Sequence, residues 1–444
     1  MDPFDLVTLV SLAIVLIMIA REQRLNIHKV AAGGLLLAVV MVVDWLQRSA
    51  HGTGAESYHE HLTAEIADTI FLLISAMALV GTIIVLRGFD IIITLFARFA
   101  LHQRGVLNAF ALLAFATSPI IDNATTAVMI IGMARELLTA NLNSLEIFGE
   151  QGVGEAVPEV PFMHLVGFVV VAEANASGAA SFMGDVTTIM LWLAGKLTPL
   201  DALQWAGPPS FVFGAVILLG ANLMLKESRP VDYSNRSKLQ FSAAQWFLVI
   251  LTFSSFFMTL VSTQMGYPPY YGLIAALGVI WVLIGYFQVR TNQMTHLDVQ
   301  LEVSLTSVHV STLLFFVAIL TPLGIMSHMG AIGAVVDFLY DISPNQTVVI
   351  GAIGLLSGFV DNVPIVQIAI DDFPITEARD WGLLAFSVGV GGTLLPFGSV
   401  PGVYAMGVIP GFTTGMYIRR FTPWVLLGFF AGLATGILQV VLFG

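Results

Sequence analysis

Apolar runs about as long as a membrane-crossing helix recur along this chain of 444 residues, with polar residues gathered between them. The pattern predicts spans near 4–20, 30–47, 65–86, 161–195, 208–225, 241–262, 270–289, 304–325, 377–415 and 421–443. Two of these, 161–195 and 377–415, are long and carry Gly-rich polar stretches at mid-length, so each reads as an interrupted helix. Two more apolar segments do not read as spans. Residues 104–136 hold Ser118-Pro119-Ile120-Ile121-Asp122-Asn123 in the middle, and 345–373 hold Ser357-Gly358-Phe359-Val360-Asp361-Asn362. A central polar break with polar ends predicts a re-entrant hairpin, because irregular backbone at that depth must be buried in protein or line a watery cavity. The expected fold class is all-α and polytopic, with about ten crossings and two hairpins.

Composition agrees and narrows the function. Charged residues are 10% of the chain and hydrophobic residues 57%, whereas a soluble domain carries roughly 25% charge. An ordinary globular enzyme is excluded, and neither an HExxH nor a GxSxG motif argues for an intramembrane one. The net charge of −12, without a basic stripe, excludes a nucleic-acid binder. There is no Cys, so disulfides and thiolate metal sites are absent.

Loop charges give an orientation. The start, Met1-Asp2-Pro3-Phe4-Asp5, lacks the basic region of a secretory signal, so the first run reads as a retained span. Arg21–Lys29, Lys226–Lys238 and Arg419-Arg420 fall on one side, expected to be cytoplasmic. Both termini are then expected on the outer face of a cell inner (plasma) membrane, with lipid as the surrounding partner. The loops His51–Glu65 and Asp371-Asp372, acidic or His-rich, fall outside. The acidic loop Glu146–Glu159 falls inside, where acids count little. Trp45, Trp192, Trp205 and Trp381 read as interface anchors.

The chain also repeats itself. Ser118, Asp122 and Asn123 precede Ser357, Asp361 and Asn362 by the same 239 residues, and that offset carries span 65–86 onto 304–325. After each hairpin a second pair matches: Gly178–Asp185 against Gly392–Ser399. Loop charges place the ends of the first hairpin inside and those of the second outside, so the halves read as inverted repeats. The expected organisation is scaffold helices in 1–64 and a first repeat in 65–225. A linker with further scaffold helices follows in 226–303, and the inverted repeat occupies 304–444. Paired hairpins and broken helices point to a secondary transporter with its site near the bilayer midplane.

The polar residues at the breaks indicate the cargo. Asp122, Asn123, Glu173, Asn175, Asp185, Thr187, Thr188, Ser357, Asp361, Asn362 and Ser399 supply carboxylates, amides and hydroxyls. No Lys or Arg lies between Arg104 and Arg135, between Arg135 and Lys196, or between Arg290 and Arg379. A buried anion site normally needs a cation or free helix N-termini, whereas hard oxygens suit Na⁺, Li⁺ or H⁺. Asp122, Asn123, Asp185 and Thr187 are the expected Na⁺ ligands. Two close carboxylates such as Asp122 and Asp185 would share a proton that a bound cation expels, and alternating access turns that competition into antiport. Each acid also has a structural reading. Asp122, Asp361 and Asp185 could cap the helices that follow, and Glu173 could be a second proton carrier or face a wet vestibule. His309 reads as a structural histidine or a pH sensor.

These motifs resemble those of NhaD-type sodium/proton antiporters of the ion transporter superfamily. The residues that carry the resemblance are Ser118–Met129 (SPIIDNATTAVM), Asn175–Trp192 (NASGAASFMGDVTTIMLW), Leu356–Val366 (LSGFVDNVPIV) and Gly391–Gly407 (GGTLLPFGSVPGVYAMG). The resemblance implies exchange of sodium or lithium for protons, a role in sodium and alkaline-pH homeostasis, and no cofactor. It implies ion-site roles for Asp122, Asn123, Asn175, Asp185, Thr187, Thr188, Ser357 and Asn362, and it leaves a homodimer open. The stretch before Asn175 is usually uncharged in that family, and here it contains Glu173. The alternative reading is a sodium-coupled symporter of a small anion such as a dicarboxylate, which the missing basic residues argue against.

Overall fold

A computed structural model describes residues 3–20, 27–51, 56–88, 102–139, 162–226, 228, 230, 242–290, 301–306, 308, 310–359 and 362–443. The first helices are α1 (Pro3–Ala20), α2 (Lys29–His51), α3 (Glu56–Val85), α4 (Gln103–Ile121) and α5 (Asn123–Thr139). They are followed by α6 (Phe162–Ala179), α7 (Val186–Leu193) and α8 (Gly207–Met224). The middle of the chain gives α9 (Ala243–Ser254), α10 (Met258–Gln264), α11 (Pro269–Arg290), α12 (Leu301–Leu305) and α13 (Val310–His328). The last part gives α14 (Ala331–Ile342), α15 (Gln346–Leu356), α16 (Asn362–Asp372), α17 (Ala378–Gly391), α18 (Val400–Val408), α19 (Thr414–Arg420) and α20 (Thr422–Phe443).

The chain is an all-α, polytopic membrane protein. Nine helices among the described residues are long and apolar enough to cross a bilayer. A helix satisfies its own backbone polar groups, which lipid cannot do. Polar residues at the ends of the apolar runs start the helices. Ser242 caps α9, Asn345 caps α15 and Thr413 caps α19 through side-chain oxygens.

Both expected interruptions occur where the Gly-rich stretches lie. Helix α6 ends at Ala179 and α7 resumes at Val186; α17 ends at Gly391 and α18 resumes at Val400. Both hairpin segments are also helix, break, helix. The arms differ in length: α4 has 19 residues and is long enough to cross alone, while α15 has 11. Helix α14 was not expected. Its 12 residues alternate buried Ala331, Ile332 and Val336 with polar Asp337 and Asp341, an amphipathic pattern too short to register as a span. Trp381 is not an interface anchor, since it is buried with the Lys196 ammonium 5.5 Å from its ring centre.

The chain divides into two compact units. One comprises Met1–Ile66, Phe110–Glu227 and Leu314–Gly444, and the other Ala67–Ala109 and Ser228–Leu313. The first is centred on α6, whose residues are all buried. In it α8 packs on α20 and on α6, α15 on α17, and α1 on α2. Phe168 of α6 stacks on Phe421 with ring centres 4.3 Å apart, and Tyr417 meets the same ring edge-on. Such packing matters because lipid tails are as apolar as the side chains, so close contact rather than escape from water holds helices together. In the second unit α11 packs on α9 and α10. There Trp281 donates to Thr82 Oγ1 at 3.1 Å and the Gln245 amide to the Leu86 carbonyl at 2.9 Å.

Candidate functional site

The first hairpin's break and the α6–α7 break meet through their backbones. The Asn123 N–H donates to the Gly184 carbonyl at 2.9 Å, and the Ser118 hydroxyl donates to the Ala174 carbonyl at 2.7 Å. The second pair of breaks makes the matching contact: Ser357 Oγ donates to the Val388 carbonyl at 2.8 Å. Ser357 stands 239 residues after Ser118, and Val388 stands 214 after Ala174, as Gly392 does after Gly178. Glycine permits both approaches. A Cβ on Gly184 would lie 2.7 Å from the Ser118 carbonyl oxygen, and one on Gly398 would lie 2.7 Å from that of Gly358.

Asn175, fully buried on α6, gathers the polar groups. Its Oδ1 accepts from Asn123 Nδ2 at 3.2 Å, and its Nδ2 donates to Thr393 Oγ1 at 2.9 Å and to Ser399 Oγ at 3.0 Å. One side chain of α6 therefore links the first hairpin to the break between α17 and α18. Ser399 begins α18 without capping it by a side-chain bond. Tyr417 Oη, which no motif singled out, fixes the same loop by donating to the Thr393 carbonyl at 2.7 Å.

The two acids do what capping predicts. Asp122 precedes α5 with φ of 78° and accepts from Thr125 N at 3.0 Å and Thr125 Oγ1 at 2.6 Å. Asp185 caps α7, accepting from Thr187 N at 3.4 Å, and is buried. Capping does not use up a carboxylate, which has about four acceptor positions. Asp185 Oδ2 lies 3.5 Å from the Cβ position of Gly389, the residue matching Asn175 at the 214 offset. In one half an amide thus meets a serine, and in the other a glycine packed tightly on Ala179 meets an acid.

Thr187 is fully buried, and its Oγ1 has no hydrogen-bond partner among the described residues; Thr188 Oγ1 reaches the Ala179 carbonyl at 3.5 Å. Asn362 is buried beside Gly392, its Oδ1 likewise without a partner among the described residues. Ser357 is occupied with the Gly354 and Val388 carbonyls and serves as a lock between helices. Glu173 is buried, but its carboxyl lies against Gly214 of α8 rather than in the Asn175 cluster. Asp361 and His309 lie outside the described residues. No group of three or more His, Asp or Glu suited to a metal ion occurs among the described residues. The cluster instead offers amide, hydroxyl and carbonyl oxygens with single carboxylates, a donor set for an alkali cation rather than a transition metal.

Comparison with known proteins gives a family and relatives. The citrate transporter family model, CitMHS, matches residues 14–372. Sodium/proton antiporter 1 of Arabidopsis thaliana is 29% identical over 93% of this chain and 69% of its own length. Sodium/proton antiporter 2 of the same plant is 26% identical over 94% of this chain and 96% of its own. The Na(+)/H(+) antiporter NhaD of Vibrio cholerae is 27% identical over 95% and 89%.

Proposed function

The chain belongs to the citrate transporter family, and from that premise we propose that it is a secondary active transporter exchanging Na⁺ or Li⁺ for H⁺ by alternating access. The observation that carries this reading is the Asn175 cluster. A single buried amide on α6 joins the first hairpin to the break between α17 and α18, in surroundings of oxygen atoms flanked by Asp122 and Asp185. The relatives named sodium/proton antiporters support the same cargo.

In this account a cation is held by Asp122, Asn123, Asp185 and Thr187, with Asn175, Thr188 and Ser399 shaping the same space. Ser357, Asp361 and Asn362 form the matching break of the second, inverted repeat. A bare carboxylate at such depth costs about 2.5–3.5 kcal/mol on insertion scales, so in the empty site the acids hold protons. The cation supplies the missing positive charge and releases them. If two protons leave for one sodium ion, each cycle moves net charge, and the membrane potential contributes about 2.3 kcal/mol per charge per 100 mV. The cell inner membrane, with both termini outside, suits an exchanger serving sodium and alkaline-pH homeostasis.

The family description favours a second reading, sodium-coupled uptake of a small carboxylate. Against it stands the absence of Lys and Arg from the interiors of the hairpins and from the α6–α7 break. Reconstituted protein separates the two. Sodium-driven proton movement without citrate or dicarboxylate accumulation supports antiport; sodium-driven accumulation of the carboxylate without proton exchange supports symport.

A further inference from the structure

Helix α6 presents two polar faces. Asn175 points to Thr393 and Ser399, in the loop between α17 and α18. Glu173 stands two residues earlier, about 200° around the helix, and its carboxyl lies on Gly214 of α8, where an added Cβ would collide with Oε2 and approach Cδ to 3.2 Å. The acid is 3% exposed and makes no ion pair or side-chain hydrogen bond among the described residues. The helices packed on α6 bring no compensating charge at mid-length. Helix α8 has no charged residue, and α18 has only Tyr404, which faces Gly132 of α5. Arg379 and Asp380 lie in the first turn of α17, Arg135 and Glu136 in the last five residues of α5, and Asp185 heads α7. On α6 itself, His164 lies in the first turn and bonds the Pro410 carbonyl. At the matching position of the second half, 214 residues on, stands Ser387, fully buried against Gly354. The acid therefore occurs in one half only.

We propose that Glu173 is a proton-binding residue of the transport cycle, separate from the cation cluster, whose proton is released by movement of α6 against α8 rather than by direct displacement. A carboxyl with no cation nearby is neutral while buried, and it ionises only when a rearrangement lets water reach the Gly214 face. The inference rests on the antiport reading and adds a proton at a second place. The cation at the Asn175 cluster and the proton at Glu173 then sit on opposite sides of one helix and are coupled through its position.

The test measures the proton-to-cation ratio in proteoliposomes, from the membrane potential at which net exchange stops. Wild type and Glu173→Gln, which keeps the shape of the neutral acid, are compared. The expected result is exchange retained with the ratio lowered by one proton per cation and a flatter pH profile. An unchanged ratio and profile in Glu173→Gln overturns the proposal while leaving antiport intact. Absence of sodium-driven proton movement in wild type removes antiport itself. If Glu173→Gln does not fold, an apolar carbodiimide, which attacks protonated carboxyls in apolar surroundings, is applied to the wild-type protein. Peptide mass spectrometry is expected to find an adduct on Glu173 that declines as the pH rises through the active range. No adduct, or one independent of pH, contradicts the proposal.

Discussion

The amide of Asn175 donates to the hydroxyl of Ser399 at 3.0 Å, joining α6 to the break between α17 and α18 across 224 residues of chain. The same amide group serves Thr393, and its carbonyl oxygen takes the amide of Asn123. Asn175→Ala strands three partners, of which Asn123 and Thr393 are buried, and each unsatisfied buried group costs about 1–3 kcal/mol. The variant is expected to lose thermal stability in detergent and to lose sodium-driven exchange. Asn175→Asp keeps the acceptor and adds charge, and it is expected to shift the pH dependence instead.

Asp185 caps α7, so loss of function on mutation has two explanations unless the cap survives. Asn caps a helix about as well as Asp. Asp185→Asn is therefore expected to fold with near wild-type thermal stability and to lose exchange, because it removes charge and leaves the cap. Full exchange in Asp185→Asn and Asp122→Asn would remove both acids from the cation site.

Thr187→Val is close to isosteric and deletes a buried hydroxyl that has no protein partner among the described residues. If that oxygen ligates the cation, the apparent sodium KM rises by about tenfold, or about 1.4 kcal/mol, while stability holds or improves. An unchanged KM would assign Thr187 to packing.

Proton and cation competition has a definite sign. Protons leave the site as pH rises, so the carboxylates become available and the apparent KM for sodium falls. Where one proton competes, the change is about tenfold per pH unit. A KM flat with pH would rule out competition at the cluster.

The two breaks and their pairing were legible because each needs residues that stand out in an apolar chain: glycines for the close approach and a serine for the bond between helices. Ser118 and Ser357 illustrate this, since one offset in the sequence became one repeated hydrogen bond. The burial of Trp381 and the contact of Glu173 with Gly214 were not legible. Both depend on which face of one helix meets which face of another, and a segment apolar all round does not encode that in its periodicity. Helix α14 escaped because length, the main signal for a span, does not apply to a 12-residue amphipathic helix.

The central claim is exchange of sodium for protons through a buried oxygen cluster. It is tested most directly by adding sodium outside proteoliposomes that contain the purified protein and a trapped pH dye. The account predicts that sodium or lithium moves protons in wild type, with the signal lost in Asp185→Asn. No proton movement with either ion at any pH across the neutral to alkaline range would contradict it.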